Sequence, residues 1–106
     1  MNEVEQIHNL SKQLQINFTD HALKRSDERS IDIYADILPA LQNCKIVEEY
    51  PNDYPYKSFL VYGRTSSDKP LHIVCAIVVN KVWIITEYFP DNNKWENDYM
   101  TRKEEL

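Results

Sequence analysis

Leu71-His72-Ile73-Val74-Cys75-Ala76-Ile77-Val78-Val79-Asn80-Lys81-Val82-Trp83-Ile84-Ile85-Thr86-Glu87-Tyr88-Phe89 is two apolar runs about Asn80-Lys81. Its β-branched and aromatic residues suit a pleated, packed surface, so two antiparallel strands at the sheet centre are expected, Leu71 to Val79 and Val82 to Phe89. Their register hangs on the turn. If Asn80-Lys81 alone forms it, His72 opposes Phe89, while Thr86 and Tyr88 point to the other face. With a three-residue Val79-Asn80-Lys81 loop, His72 opposes Tyr88 and both can line one site.

Upstream, Lys45 to Tyr50 reads as a first strand, closed by the turn formers of Pro51-Asn52-Asp53-Tyr54-Pro55. Ser58 to Arg64 reads as a second, and Thr65-Ser66-Ser67-Asp68-Lys69-Pro70 makes the next connection. Before Lys45 the pattern is helical. Val4, Ile7, Leu10 and Leu14 mark an amphipathic helix ending near Gln15, and Ile16-Asn17-Phe18 is extended. Thr19 can cap a second helix, with Asp20 favourable in its first turn. Ser30 can cap a third that carries Tyr34, Ile37, Leu38 and Leu41, with a kink expected at Pro39 and a left-handed stop at Asn43. The tail from Pro90 to Leu106 is polar except for Trp95, Tyr99 and Met100, so a short helix or coil that docks Trp95 is expected. Helices first and a meander after them predict an α+β fold, N-terminal helices on one face of a four-stranded, mainly antiparallel sheet. The other face is left partly open for polar chemistry.

A chain of 106 residues, 42% hydrophobic and 27% charged, suits one domain with one core. The longest apolar run, Ile73 to Val79, is far too short to cross a bilayer, and Met1-Asn2-Glu3-Val4-Glu5 does not look like a signal peptide. A cytoplasmic location without membrane partners is expected, with Cys44 and Cys75 reduced and buried. The net charge of −5 argues against indiscriminate polyanion binding, so any nucleic-acid role must use a local basic site. A single glycine excludes a glycine-rich phosphate loop. His8, His21, His72, Cys44 and Cys75 contain no pair with ligand spacing, so neither a metal nor a cofactor is expected. No nucleophile elbow supports a serine triad.

The basic site that the charge requires has a candidate in His21, Arg25 and Arg29. Spaced by four, they drift by only about 80° around a helix. Like charges at this spacing usually destabilise an isolated helix by about 0.2–0.5 kcal/mol, so local stability does not explain the stripe. An imidazole beside two guanidiniums suits handling a phosphate and moving a proton. A solvated helix face is the plainer alternative.

Phe18-Thr19-x-His21-Ala22-x-x-Arg25-x-x-x-Arg29, Glu48-Glu49-Tyr50-Pro51, Gly63-Arg64, Pro70-Leu71-His72 and Thr86-x-Tyr88-x-Pro90-Asp91-x-x-x-Trp95 together resemble a small bacterial and archaeal domain-of-unknown-function family, of DUF4258 type. That family has been grouped with RelE-type and barnase/EndoU/colicin-type ribonuclease toxins. On this resemblance the chain is one toxin-like domain over residues 1–106, with an N-terminal helix at 1–15, the family core at 16–95 and a polar tail at 96–106. The resemblance implies a metal-independent endoribonuclease, the toxin of a type II toxin–antitoxin pair, cleaving RNA by attack of a ribose 2′-hydroxyl on its own 3′-phosphate. The implied partners are RNA, with or without the ribosome, and a cognate antitoxin of zinc-finger or helix-turn-helix kind. By position, His21 and His72 become acid and base candidates, Arg25, Arg29 and Arg64 a phosphate clamp, and Thr86 and Tyr88 the family's Thr-x-Tyr element, with Tyr88 able to donate a proton or stack on a base.

Each residue also has a structural alternative. His21 can extend a helix cap. His72 can be a core-edge histidine bonded to a carbonyl. Arg25 and Arg29 can pair with Asp20, Asp27 or Glu28. Gly63 before Arg64 signals a bulge or a close backbone approach. Tyr88 and Trp83 can be ordinary strand aromatics. A non-catalytic protein- or RNA-binding module, a degenerate toxin-like domain, is the competing function, and the acidic charge favours it.

Overall fold

The structure is a computed structural model, and it describes residues 1–104. Helix α1 spans Glu3–Lys12 and is capped by Asn2, whose Oδ1 accepts from the Glu5 amide at 2.9 Å. Its Ile7 is buried, with Val4 and Leu10 packed beside it. Strand β1, Ile16–Phe18, leads into helix α2, Asp20–Arg29. Thr19 caps α2 as expected: its Oγ1 accepts from the Ala22 amide at 3.0 Å and donates to the Ile85 carbonyl at 3.2 Å. Small Ala22 and Ser26 are the buried residues of α2.

The next boundary differs from the expectation. Ser30 takes a left-handed conformation (φ 55°) and ends α2 instead of starting a third helix. Asp32 is the cap, its carboxylate accepting from Tyr34 and Ala35 amides at 2.9 and 2.7 Å. A π-helical turn, Ile33–Ile37, then tightens into α3, Leu38–Asn43. Pro39 falls in the first turn of α3, where a missing N–H is tolerated. Asn43 is not a left-handed stop, because its side chain clamps the backbone at Arg64. Its Nδ2 donates to the Pro39 and Arg64 carbonyls at 2.8 and 3.1 Å, and its Oδ1 accepts from the Arg64 amide at 2.9 Å.

Four further strands follow: β2 Lys45–Tyr50, β3 Ser58–Arg64, β4 Pro70–Val78 and β5 Lys81–Tyr88. The sheet has five strands in the order β1-β5-β4-β3-β2, not four. The addition is β1, which pairs parallel to β5 with Ile16 beside Val82 and Phe18 beside Ile84, so the sheet is mixed. The remaining pairs are antiparallel. The helices cover one face, where Phe59, Val61, Ile73, Cys75, Val82 and Ile84 meet Ile7, Ala22, Ile37 and Leu41. Gly63 faces α3 so closely that a Cβ there would lie 2.1 Å from the Ala40 carbonyl oxygen. The close approach that the lone glycine signalled is therefore by the chain's own helix. No helix is long and apolar enough to cross a membrane.

The β4–β5 turn is neither of the two alternatives that the sequence suggests. Val78 pairs with Lys81 across the two-residue turn Val79-Asn80, both left-handed, with φ of 47° and 60°. Uninterrupted, that register would set His72 opposite Glu87. A bulge at Ile85 adds one residue between the pairs Cys75–Ile84 and Val74–Thr86, and His72 comes to oppose Tyr88.

Two of these backbone features have measurable effects on stability. Gly63→Ala forces a methyl into the Ala40 backbone and is expected to lower the unfolding free energy by about 1–3 kcal/mol in urea titration. Val79→Asn relieves a β-branched residue of a left-handed conformation at an exposed site and is expected to raise it by about 1 kcal/mol.

Candidate functional site

Register across β3, β4 and β5 lines up Tyr62, His72 and Tyr88 on the face away from the helices. His72 is fully buried. Its Nε2 lies 2.7 Å from the Tyr99 carbonyl, an acceptor only, so Nε2 carries the proton and donates. In the neutral ring Nδ1 is then the acceptor, and it accepts a hydrogen bond from the Tyr88 hydroxyl at 3.2 Å. Burial pushes the His72 imidazole below its usual range, partly offset by the Tyr99 carbonyl, and burial pushes the Tyr88 phenol up. Both groups are thereby held in their neutral forms, one a proton acceptor and the other a donor.

The roof over His72 comes from the segment after β5. Of the expected short helix or coil it takes the second, an irregular segment folded into a tight reversal: the Glu96 amide bonds the Thr101 carbonyl at 2.8 Å, and the Lys103 amide bonds the Lys94 carbonyl at 2.9 Å. Asp98 fixes the bend by accepting from the Met100 and Thr101 amides at 2.9 and 3.0 Å. Trp95 does dock, its ring edge-on to His72 at 4.6 Å between centroids. Arg102 reaches Glu48 on β2 through two bonds of 2.8 and 3.0 Å and lies 4.6 Å from the Trp95 ring centroid. This guanidinium holds the Glu48 carboxyl down at about 2. Burial, and then the bond it donates to Glu48 at 2.5 Å, push Tyr50 up to about 12.

The residues singled out in the sequence divide into two groups. His72 and Tyr88 come together, and Arg64 lies one ring further out, its guanidinium donating to the Asp68 carbonyl at 3.1 Å and standing 5.7 Å from the centroids of both Tyr62, which packs edge-on to His72, and Tyr99. Thr86 opposes Val74 on the same face, two residues from Tyr88. Arg29 joins at the margin, donating to the Glu87 carbonyl at 2.6 Å, and its charge tells on Tyr88 by lowering the phenol against the effect of burial. His21 and Arg25 do not join. His21 is exposed and makes no side-chain hydrogen bond among the described residues, and Arg25 pairs with Glu28 one turn along α2 at 2.6 Å. Ala22 and Ser26 are the α2 residues turned to the core, against the helix-covered face of the sheet, whereas His72 and Arg64 sit on the other. The stripe is thus not a single wall facing them.

Other contacts gave no signal in the sequence. Glu48, Trp95, Tyr99 and Arg102 meet only because the tail folds back. Glu87 is fully buried on the helix side, where Ser26 donates to its Oε1 and its Oε2 has no partner among the described residues. Burial raises its carboxyl, partly offset by Ser26 and Arg29. An apolar groove of about 340 Å³ lies beyond the His72 cluster, between Tyr54 and Tyr56 of the β2–β3 loop and Ala76, Trp83 and Ile85; it contains none of the candidate residues. No group of three or more His, Cys, Asp or Glu among the described residues gathers to hold a metal ion.

The family model described as a domain of unknown function, DUF4258, matches residues 18–89, more than half of the chain and all of the candidate residues. The chain belongs to the DUF4258 family. No curated protein and no solved structure matches it. The DUF4258 segment ends at Phe89, where the roof over His72 begins.

Glu87, on the opposite face of the sheet, gives the fold a pH signature. Its carboxyl is raised in the folded chain above the usual 4.5, so its share of stability is complete below that value and is lost as pH rises through the folded value. Glu87→Gln keeps an acceptor for Ser26 and removes the titration. In urea unfolding at pH 5 and pH 8, the variant is expected to gain on the parent as pH rises. A difference that stays constant with pH would contradict the assignment.

Proposed function

We propose that this DUF4258 chain is a metal-independent endoribonuclease of toxin type, acting on RNA by 2′-hydroxyl attack on the adjacent phosphate. One observation carries the reading: an imidazole held neutral with Nδ1 as acceptor shares a proton with a phenol held neutral as donor, on the sheet face away from the helices. That reaction needs a base at the 2′-oxygen, an acid at the leaving 5′-oxygen and cations about the phosphorane. In the proposed mechanism His72 is the base and Tyr88 the acid. Arg64 and Arg29 supply positive charge at the two ends of the row, and Thr86 flanks the phosphate. His21 and Arg25, exposed or half-exposed on α2, are assigned to holding the RNA backbone and not to the chemistry. A cognate antitoxin of zinc-finger or helix-turn-helix kind belongs to the same proposal.

A second reading has its own support. His72 is fully buried with both ring nitrogens bonded within the chain, as in a structural histidine, which favours a non-catalytic binding module. The two readings separate on purified protein and RNA, with and without ribosomes. The ribonuclease reading expects fragments ending in 2′,3′-cyclic phosphate, unchanged by EDTA. It also expects a loss of about 100-fold or more in rate for His72→Ala and Tyr88→Phe, against a few-fold loss for Arg25→Ala. Intact RNA under both conditions, with no growth arrest on induction, would leave the binding module.

A further inference from the structure

We infer that Pro90–Glu104 is a displaceable strap that closes the His72–Tyr88 site, and that its opening is the step that admits a ligand to that site. The regulatory sense of this inference rests on the proposed action on RNA; the mobility of the strap does not.

Three observations carry it. The strap is closed upon itself: the Trp95–Arg102 bridge, the Glu96–Thr101 and Lys103–Lys94 backbone bonds and the Asp98 cap all lie within it. Its backbone pairing therefore comes from within the segment and not from the sheet, and so short a pairing opens to water once it leaves the sheet face. Its hydrogen bonds to the sheet among the described residues are His72 to the Tyr99 carbonyl and Arg102 to Glu48, and no backbone ladder joins it to a strand. Arg102, the outer of these anchors, has 59% of its side chain exposed, so water can reach the guanidinium and take the place of its carboxylate partner. Finally, what the strap covers is the candidate chemistry. Trp95 and the Tyr99 carbonyl occupy one side and one nitrogen of His72, and the Tyr99 ring packs tilted against Tyr62, 5.8 Å between centroids, while facing Arg64. The strap thus presents to this face an aromatic ring, a carbonyl acceptor and a guanidinium-bound edge. An RNA base and phosphate offer the same stacking and acceptor chemistry to His72, Tyr62 and Arg64.

Hydrogen exchange followed by mass spectrometry on the full chain tests the strap directly. The bonded amides of Glu96 and Lys103 are expected to exchange at least 10-fold faster than those of β3 and β4. Arg102→Ala is expected to widen that gap at least a further 10-fold with unchanged exchange in the sheet. Diethyl pyrocarbonate labelling then reads the site: His72 is expected to react at least 100-fold more slowly than exposed His21 in the parent, and at least 10-fold faster in Arg102→Ala than in the parent. Trp95→Gly provides a second opening variant should Arg102→Ala lose its fold. Strap amides that exchange together with β3 and β4, or His72 labelling that rises only when the sheet unfolds, would overturn the inference. RNA cleavage that rises on opening supports both proposals. An opened, folded variant that leaves RNA intact removes the ribonuclease reading while the exchange result stands for the strap.

Discussion

The extra residue that β5 carries at Ile85 shifts its partner on β4 by one position, and in a strand one position is a change of face. With the Val79-Asn80 turn and no bulge, Glu87 would stand opposite His72, and Thr86 and Tyr88 would lie beneath the helices. With the bulge, the carboxylate goes to the helix side and the phenol goes to His72. Thr19 secures it: the hydroxyl that caps α2 donates to the Ile85 carbonyl, and the Thr19 amide donates to the Ile84 carbonyl at 3.0 Å. One side chain therefore fixes both the start of a helix and the face on which the candidate chemistry appears.

The two faces solve the burial of polar groups differently. On the helix side Glu87 has one oxygen satisfied by Ser26 and one without a partner among the described residues, an arrangement that favours the neutral carboxyl. On the other side His72 is buried just as fully, yet both nitrogens are bonded, one to a phenol and one to a backbone carbonyl. A histidine satisfied in this way stabilises its surroundings only while the strap is docked. Structural fit and accessibility are therefore opposed at the same ring.

Much of the fold was legible because its signals are local. β2 and β3 have the bounds expected from β-branched runs between clusters of turn formers, and Thr19 caps α2 through a side chain three residues from its partner. The start of the third helix is ambiguous in the sequence because Ser30 and Asp32 are both competent caps, and the left-handed close of α2 uses Ser30, which leaves the cap to Asp32. Ile16-Asn17-Phe18 was legible as extended, but three residues give no hint of which distant strand they join. The site was less legible for a related reason. Spacing places His21, Arg25 and Arg29 on one side of a helix, but Ala22 and Ser26 decide which side meets the sheet. The pairing of His72 with Tyr88 was one of two registers weighed, reached here through a bulge that no local residue announces. The contact between Glu48 and Arg102, 54 positions apart, left no trace in composition or periodicity.

The parallel pairing of β1 with β5 imposes an order on synthesis. Ile16–Phe18 emerges from the ribosome well before its strand partner, Val82–Ile84. Until then the β1 edge has nothing to join, and α2 lacks the strand against which Ala22 and Ser26 pack. A nascent chain must therefore carry β1 and α2 without their strand partner until β5 has been made, and that side of the sheet closes in a late step that joins segments far apart in sequence.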